Sequence, residues 1–339
     1  RRLASIGFIL PPQYFKSAGE TYFTRNPMGT GPYRFFYSRL SAQGYREVHL
    51  VANEDYWDTV RPSIHEVAYK CIPRKDQWQA LVDGTVDLLI TQAPEPRALS
   101  EENRNFSIRH KPSLRTSFCL FNVDKPGPVQ DVRVRRAIEH AVDREQIIRQ
   151  ALLGGGSPLA ATTAAKGSLA WRSGGPVYEE NPAMAAELLR QAGYPAGLSL
   201  SVMASANEPT TEVAELLKEQ FARAGIRLDL HFLTREQLKQ EVIAPKLKGE
   251  PRASAYDMWL VCGWPDLFGT NGHFYFLFLN SQGVFNFGIS QNKTSAVDEL
   301  YAKFRLSKDD ADMAKNVQEL DRYLLDQALV LPLYQTQVL

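Results

Sequence analysis

One pattern occurs twice in the middle of the chain, as PAMAAELLRQAGYPAGLSLSVM over residues 182–203 and as TEVAELLKEQFARAGIRLDLHF over residues 211–232. In each copy apolar residues recur at helical spacing, a glycine follows, and a strand-like apolar run comes next. Gly193 and Gly225 suit the ends of these helices, because the residue after a helix often needs a positive φ angle. The predicted elements are helices over 182–192 and 211–224 and strands over 198–203 and 226–232.

The same unit occurs once more near the beginning of the chain. A helix over 75–82, a stop at Gly84 and a buried strand over 86–90 form this third copy. Further strands are predicted over 33–37, 47–52, 66–72, 256–262 and 329–334, and a further helix over 309–327. Repeated alternation of helix and strand predicts an α/β fold class, because bundles and sandwiches lack it.

Two more helices are predicted to begin at aspartates in the middle of the chain. Asp131 precedes the first helix, and Asp143 precedes the second, with Gln146 three residues later completing a capping box. Arg133 and Arg135 lie on the first of these helices. We expect both arginines to have structural roles and to face the solvent or the strand ends.

Composition excludes several classes of protein. The chain has 339 residues, 44% of them hydrophobic, which is enough for two or three domains with a large core. Its formal net charge of +1 argues against a nucleic-acid surface, which needs a concentrated positive field. No apolar run approaches the length of about 18 residues that a transmembrane helix requires. Cys71, Cys119 and Cys262 form no CxxC pair, and we interpret them as small apolar fillers of strands.

A search for catalytic and metal-binding motifs finds none. The six histidines show neither HxH nor HxxxH spacing, and no GxSxG nucleophile elbow occurs. The sequence GTGP at 29–32 resembles the start of a phosphate loop, but it precedes a predicted strand instead of a helix. We therefore predict no catalytic residue, no metal ligand and no cofactor.

Aromatic residues interleaved with glycines crowd the segment 259–288. Core packing accounts for most of them, but Trp264-Pro265-Asp266 follows the strand predicted over 256–262. Ligands of α/β proteins usually bind at the carboxyl ends of strands. An aromatic ring beside a carboxylate suits a ligand that carries an ammonium group and apolar side chains.

The segment NPMGTGPYR, residues 26–34, resembles the NPxGTGPY signature of the family 5 extracellular solute-binding proteins. These proteins are the peptide-, dipeptide- and nickel-binding components of ABC importers. Other segments resemble motifs of the family in the same order, namely ANEDYW at 52–57, WQALVDGTVD at 78–87, FN at 121–122, DVRVRRAI at 131–138, DRE at 143–145, ELL with AGY within 187–194, and GW with Asp266 at 263–266. Together they cover nearly the whole chain.

The resemblance implies a two-lobed α/β fold of the periplasmic-binding-protein type, class II or cluster C, with a hinge of two crossing strands. Residues 1–112 would belong to lobe I, residues 113–328 would form the ligand-closing lobe II, and residues 329–339 would return to lobe I. Members of the family carry a longer segment before the NPxGTGPY motif. The resemblance therefore also implies an N-terminal part, with a signal peptide, upstream of this sequence.

The family's function follows from the same resemblance. It implies a periplasmic or cell-surface protein that captures an oligopeptide or dipeptide between two lobes and delivers it to ABC permease subunits in the membrane. We expect a monomer that is not an enzyme and has no nucleic-acid partner. The alternatives are a binder of a metal chelate or a sugar-like ligand, and a ligand-sensing regulatory module of the same fold.

The ligand-binding residues that the resemblance implies are Trp264, Asp266, Arg115, Ser117, Phe268 and Gly263. Asp266 would bind the α-ammonium group of a peptide, with Trp264 as a platform. Arg115, on a hinge strand, is a candidate for a ligand carboxylate, and an arginine solvated at the hinge edge is the alternative. In the family two residues separate the tryptophan from the aspartate, whereas here only Pro265 does, so a turn formed by Pro265-Asp266 is the other interpretation.

Overall fold

The computed structural model describes residues 10–42, 44–91, 105–159, 162–172, 178–207, 209–248, 255–267, 269–288 and 294–338. The chain divides into two compact units, residues 1–108 and residues 109–338. The assignment of residues 1–112, 113–328 and 329–339 to two lobes and a return strand stays a prediction. Phe268 lies outside the described residues.

The described residues of the first unit form two α-helices, a short 3-10 helix (Arg74–Asp76) and a three-stranded antiparallel sheet. Its elements are α1 (Pro12–Arg25), β1 (Tyr33–Leu40), β2 (Arg46–Ala52), β3 (Glu66–Lys70) and α2 (Gln77–Val82). The sheet order is β1-β2-β3. The three strands and the helix predicted in this region are confirmed.

The buried strand predicted over 86–90 is wrong. No strand forms over these residues, and Leu88 and Ile90 are 75% and 72% exposed. An apolar run forms a strand only where a neighbouring strand can take its backbone hydrogen bonds. Within the described part of the chain, no strand pairs with this run.

The second unit is built on a six-stranded mixed sheet. Its elements are β4 (Lys111–Phe121), α3 (Val132–His140), α4 (Arg144–Gln150), β5 (Gly156–Pro158), α5 (Pro182–Gln191), β6 (Leu198–Ser205), α6 (Thr210–Arg223), β7 (Ile226–Leu233), α7 (Arg235–Leu238), a π-helical segment (Lys239–Ile243), α8 (Ala244–Lys248), β8 (Met258–Pro265), α9 (Gly272–Phe274), a second π-helical segment (Tyr275–Leu279), α10 (Thr294–Arg305), α11 (Asp310–Asp326) and β9 (Val330–Val338). The sheet order is β5-β9-β4-β8-β6-β7. Strand β6 runs parallel to both β7 and β8, whereas β4 is antiparallel to β8 and β9.

The two repeated helix–glycine–strand units are confirmed as α5-β6 and α6-β7. Gly193 and Gly225 have φ angles of +93° and +82°, as a helix end of this kind requires. The two parallel strands bring Gly197 against Gly225, where a Cβ on Gly197 would lie 2.2 Å from the Gly225 carbonyl oxygen. Only a glycine allows this approach, which fixes the relative position of β6 and β7.

The helices that begin at Asp131 and Asp143 are confirmed, with two corrections. Asp143 accepts the backbone N–H of Gln146 at 2.8 Å, but its own N–H donates to Gln220 Oε1 at 3.1 Å, so a residue of α6 replaces the second half of the predicted capping box. Arg135 was expected to face the solvent or the strand ends, but it is only 2% exposed. Its guanidinium donates to four carbonyl oxygens, those of Val129, Gln130, Gln327 and Ala328.

The environment of Arg135 explains why a charge is tolerated there. Two of its acceptors lie at the end of α11, where carbonyl oxygens have no partner within the helix. Burial lowers the pKa of Arg135 to about 10, so the side chain stays charged at neutral pH. It joins α3 to the start of β9.

Two further observations complete the fold. Cys119 is buried in β4, as predicted, but Cys71 is exposed, so the expectation that all three cysteines fill the core is wrong for Cys71. Among the described residues, no helix combines the length and the apolar character that crossing a membrane would require.

Candidate functional site

A cavity of about 860 Å³ opens at the carboxyl ends of the parallel strands β6, β7 and β8. It is lined by Ser205, Arg235, Glu236, Leu238, Lys239, Val242, Ile243, Trp259, Val261, Cys262, Trp264, Phe278 and Phe285. All of these residues belong to the second unit. Cavities of about 300–1,000 Å³ in this position of an α/β sheet are typical of small-molecule sites.

Four aromatic rings form much of the wall. Trp264 meets Phe278 edge-to-face, with ring centroids 4.6 Å apart and an angle of 89° between the planes. Phe285 packs against Trp264 at 5.6 Å, and Trp259 packs against Phe278 at 5.6 Å. The two contacts of Trp264 are edge-on and that of Trp259 is tilted, and such arrangements suit the ring quadrupoles. The wall is therefore a fixed apolar surface.

The rim of the cavity carries charge and comes from the segment after β7. Thr234 begins α7 with a complete capping box, in which its side chain accepts the backbone N–H of Gln237. This cap places Arg235 and Glu236 in the first turn of the helix, and Lys239 follows. Sequence reasoning missed these rim residues. They lie directly after β7, just as Trp264 lies at the end of β8. This position at the carboxyl end of a strand is the signal that could have identified them.

A β-bulge places Trp264 at the cavity. In the pairing of β4 with β8, Phe118 opposes Val261 and Thr116 opposes Trp264, so two residues of β8 face Ser117 alone. One of these two is Gly263, whose φ of +69° lies in the left-handed region. Strand β8 was predicted to end at 262, but it continues through Pro265, and the bulge interrupts its alternation.

Four of the predicted ligand-binding residues meet at this bulge. Ser117 Oγ accepts the backbone N–H of Gly263 at 2.9 Å, and Arg115 Nη1 donates to the Gly263 carbonyl oxygen at 3.0 Å. Trp264 is the next residue. Its indole Nε1 is buried and has no hydrogen-bond partner within the described part of the chain. Ser117 is fully buried, whereas Arg115 is exposed.

Asp266 lies beside the bulge but holds a turn of the backbone. Its N–H donates to the Leu114 carbonyl oxygen at 2.7 Å. Its carboxylate accepts the N–H of Asn271 at 2.9 Å and that of Thr270 at 3.4 Å, and the residue is 6% exposed. These bonds agree with the turn interpretation of Pro265-Asp266. Binding of a ligand ammonium group by Asp266 stays a prediction.

His273 is a further neighbour that sequence reasoning did not single out. Its ring stacks on Trp264 with centroids 5.7 Å apart. Burial lowers the pKa of His273 below its usual value, although the charge of Asp266 acts in the opposite direction. Burial therefore favours the neutral form of the ring, which packs against the face of Trp264. Among the described residues, no group of three His, Cys, Asp or Glu side chains could hold a metal ion.

Comparison with known proteins identifies relatives over most of the chain. The family model described as "Bacterial extracellular solute-binding proteins, family 5 Middle" matches residues 1–286. The glutathione-binding protein GsiB of Escherichia coli O1:K1 / APEC is 26% identical over 219 residues, which are 64% of this chain and 41% of GsiB. The chain thus aligns with less than half the length of this curated relative.

Solved structures show the fold. The ABC transporter substrate-binding protein CtaP of Listeria monocytogenes has a TM-score of 0.76 and 21% identity over 97% of this chain and 65% of its own. The periplasmic binding protein DppA of Helicobacter pylori, solved in complex with the peptide STSA, has a TM-score of 0.75 and 20% identity over 99% of this chain and 65% of its own. The fold class predicted from the sequence, an α/β fold of the periplasmic-binding-protein type, is confirmed.

Proposed function

Because this chain belongs to the bacterial extracellular solute-binding proteins of family 5, we propose that it is the ligand-capturing component of an ABC importer and that its ligand is a short peptide. The observation that carries the proposal is the aromatic cavity at the carboxyl ends of β6, β7 and β8. Its volume of about 860 Å³ accommodates a ligand of a few residues.

The chemistry of the cavity favours a ligand with at least one large apolar group. Burial of one large apolar side chain contributes about 1.5–3 kcal/mol. The rings of Trp264, Phe278 and Phe285 already stand in contact with one another, so little ordering cost opposes this gain. Arg115, which is exposed beside the bulge, would hold a polar part of the ligand with those donors of its guanidinium that do not bond Gly263.

Two relatives support a peptide ligand. DppA of Helicobacter pylori was solved with the peptide STSA, and GsiB of Escherichia coli O1:K1 / APEC is named for glutathione, which is itself a γ-linked tripeptide. The chain would act outside the cytoplasm, as a monomer without enzymatic activity, and would deliver its ligand to permease subunits in the membrane. Trp264, Gly263, Arg115, Ser117, Asp266 and Phe268 remain the proposed ligand-binding residues.

Native mass spectrometry of the protein, purified without denaturation, tests this function directly. Release of bound molecules should yield short peptides, and isothermal titration with a panel of dipeptides and tripeptides should then give dissociation constants. A metal chelate or a sugar-like mass in their place would overturn the peptide ligand and favour the alternative. Turnover of a bound peptide by the pure protein would overturn the assignment as a binding protein.

A further inference from the structure

We propose that Arg235 binds a carboxylate of the ligand, and that the cavity therefore selects peptides whose free α-carboxylate lies next to a large apolar or aromatic side chain. This inference rests on the proposed function, since it takes the ligand to be a peptide. It concerns the charged rim on α7, which the sequence motifs did not indicate.

The charges at the rim do not cancel. Lys239 Nζ lies 3.9 Å from Glu236 Oε2, and Glu236 Oε1 also accepts Gln240 Nε2 at 3.0 Å. Arg235 is exposed, and its guanidinium makes no hydrogen bond or ion pair with any described residue. One positive charge is therefore left at the mouth of the cavity, on a backbone that the Thr234 cap fixes.

The interior of the cavity decides which end of a peptide lies at this mouth. Of the described lining residues, only Arg235, Glu236 and Lys239 are charged, and all three belong to the rim. An ionised carboxylate or ammonium group would lose its hydration without compensation against the aromatic wall. Charged groups of the ligand must therefore stay at the rim while an apolar side chain enters.

The rim discriminates between the two kinds of ligand charge. At the rim an ammonium group could pair only with Glu236, which already contacts Lys239 and Gln240. A carboxylate meets an arginine that is ready to bind it, and the planar guanidinium fork donates two parallel hydrogen bonds to such a group. Because the α-carboxylate of a peptide lies next to its last side chain, that side chain is the one placed to fill the cavity.

The test compares matched ligands on the full chain by isothermal titration. The probes are Ala-Phe, its amide Ala-Phe-NH₂, Ala-Ala, and 3-phenylpropionate, which has the ring and the carboxylate without a peptide group. Ala-Phe should bind at least about tenfold more tightly than its amide, because a charge-assisted hydrogen bond to a carboxylate contributes more binding free energy than a hydrogen bond to a neutral amide. It should also bind at least about tenfold more tightly than Ala-Ala, which leaves the cavity unfilled.

The variant R235Q should abolish the preference for the acid over the amide and keep the preference for phenylalanine over alanine. K218Q is the matched control, because Lys218 is exposed on α6, pairs with Glu215 at 3.8 Å, and lies outside the cavity lining. This control loses the same charge and should keep both preferences. Circular dichroism and thermal unfolding should show that both variants, altered at exposed positions, fold as the parent does.

The outcomes separate this inference from the proposed function. Peptides that bind without an acid preference, or with one that survives in R235Q, would overturn the role of Arg235 and leave the peptide function standing. Binding of 3-phenylpropionate that depends on Arg235, with no binding of any peptide, would support the carboxylate site and overturn the peptide ligand. Absence of binding by all four probes would overturn both.

Discussion

The carboxylate of Asp266 accepts the backbone N–H of Asn271 at 2.9 Å, across the turn that joins β8 to α9. Asn271 has a positive φ of 55° and donates its side-chain amide to Thr163 Oγ1 at 3.1 Å. Thr163 Oγ1 in turn donates to the buried Asp321 on α11 at 2.6 Å. The turn after the proposed site is thus tied to α11 through a continuous chain of hydrogen bonds.

Substitution of Asp266 separates its role in this turn from the predicted binding of an ammonium group. D266A leaves the buried N–H of Asn271 without its acceptor, so we expect a loss of about 2 kcal/mol in the free energy of unfolding. D266N retains an oxygen acceptor and should lose less than half as much. Urea denaturation of both variants measures this difference.

Ligand binding by D266N then tests the predicted ammonium contact. If Asp266 binds the α-ammonium group, D266N should raise the dissociation constant of a dipeptide at least about tenfold. Its affinity for the N-acetylated dipeptide, which has no ammonium group, should stay unchanged. Equal effects on both ligands would limit Asp266 to the turn.

Gly263 is needed for its backbone conformation and not for space. Its φ is +69°, and a Cβ added there would meet no described heavy atom within 4 Å. G263A should therefore lower the free energy of unfolding by about 1–2 kcal/mol, or else shift the bulge. A shifted bulge would move Trp264, so we also expect weaker ligand binding. G263N is the control, since asparagine tolerates positive φ. A fully stable G263A with normal ligand affinity would contradict this role of the bulge.

A structural feature of this protein could be predicted from the sequence when the residues that determine it lie close together along the chain. Gly193 and Gly225 end their helices through local conformational preference, so both units could be predicted from a window of about 20 residues. The bulge at Gly263 depends on how β8 pairs with β4, and the residue it faces, Ser117, lies 146 positions away. Periodicity contains no information on such a register.

The errors have the same physical origin. Gln220, 77 positions from Asp143, accepts the hydrogen bond from the Asp143 N–H that the predicted capping box assigned to Gln146. Arg135 lies in a polar sequence but is buried, because carbonyl oxygens at the end of α11, more than 190 positions away, need donors. The order of the motifs predicts the fold, which is confirmed, and a ligand site at Trp264, which stays a prediction. The charged rim at Arg235 was missed because no motif covers it.

The buried pair of Glu139 and Arg144 predicts a pH dependence of stability. Arg144 Nη2 donates to Glu139 Oε2 at 2.7 Å, and Arg144 Nε donates to the Pro332 carbonyl oxygen at 2.8 Å. Burial raises the pKa of Glu139 from 4.5 to about 7, although the charge of Arg144 acts against this. The folded state therefore holds a proton that the unfolded chain releases above about pH 4.5.

The contribution of Glu139 to the free energy of unfolding is fully present below pH 4.5 and is lost as the pH rises to about 7. The loss should amount to about 3 kcal/mol at most. E139Q cannot titrate, so guanidinium denaturation at pH 5 and pH 7.5 should show a smaller decrease for E139Q than for the parent chain. The contributions of all other titrating groups are the same in both proteins, so they cancel when the two decreases are compared. Parallel decreases in the two proteins would show that Glu139 does not titrate in this range.

Trp264 should contribute to binding through its ring and not through its N–H group. Its Nε1 is buried without a hydrogen-bond partner among the described residues, so W264F loses no hydrogen bond. It keeps an aromatic ring beside Phe278 and Phe285, and we expect its affinity for Ala-Phe to stay within about threefold of the parent.

W264A removes this wall of the cavity. The lost ring contact with the ligand should cost about 1.5–3 kcal/mol of binding free energy, which is at least about tenfold in the dissociation constant. Titration calorimetry measures both variants, with thermal unfolding as the check that each is folded at the assay temperature. A folded W264A that binds Ala-Phe as tightly as W264F would place the ligand elsewhere, because an apolar group that fills this cavity must lose contact area when the indole of Trp264 is removed.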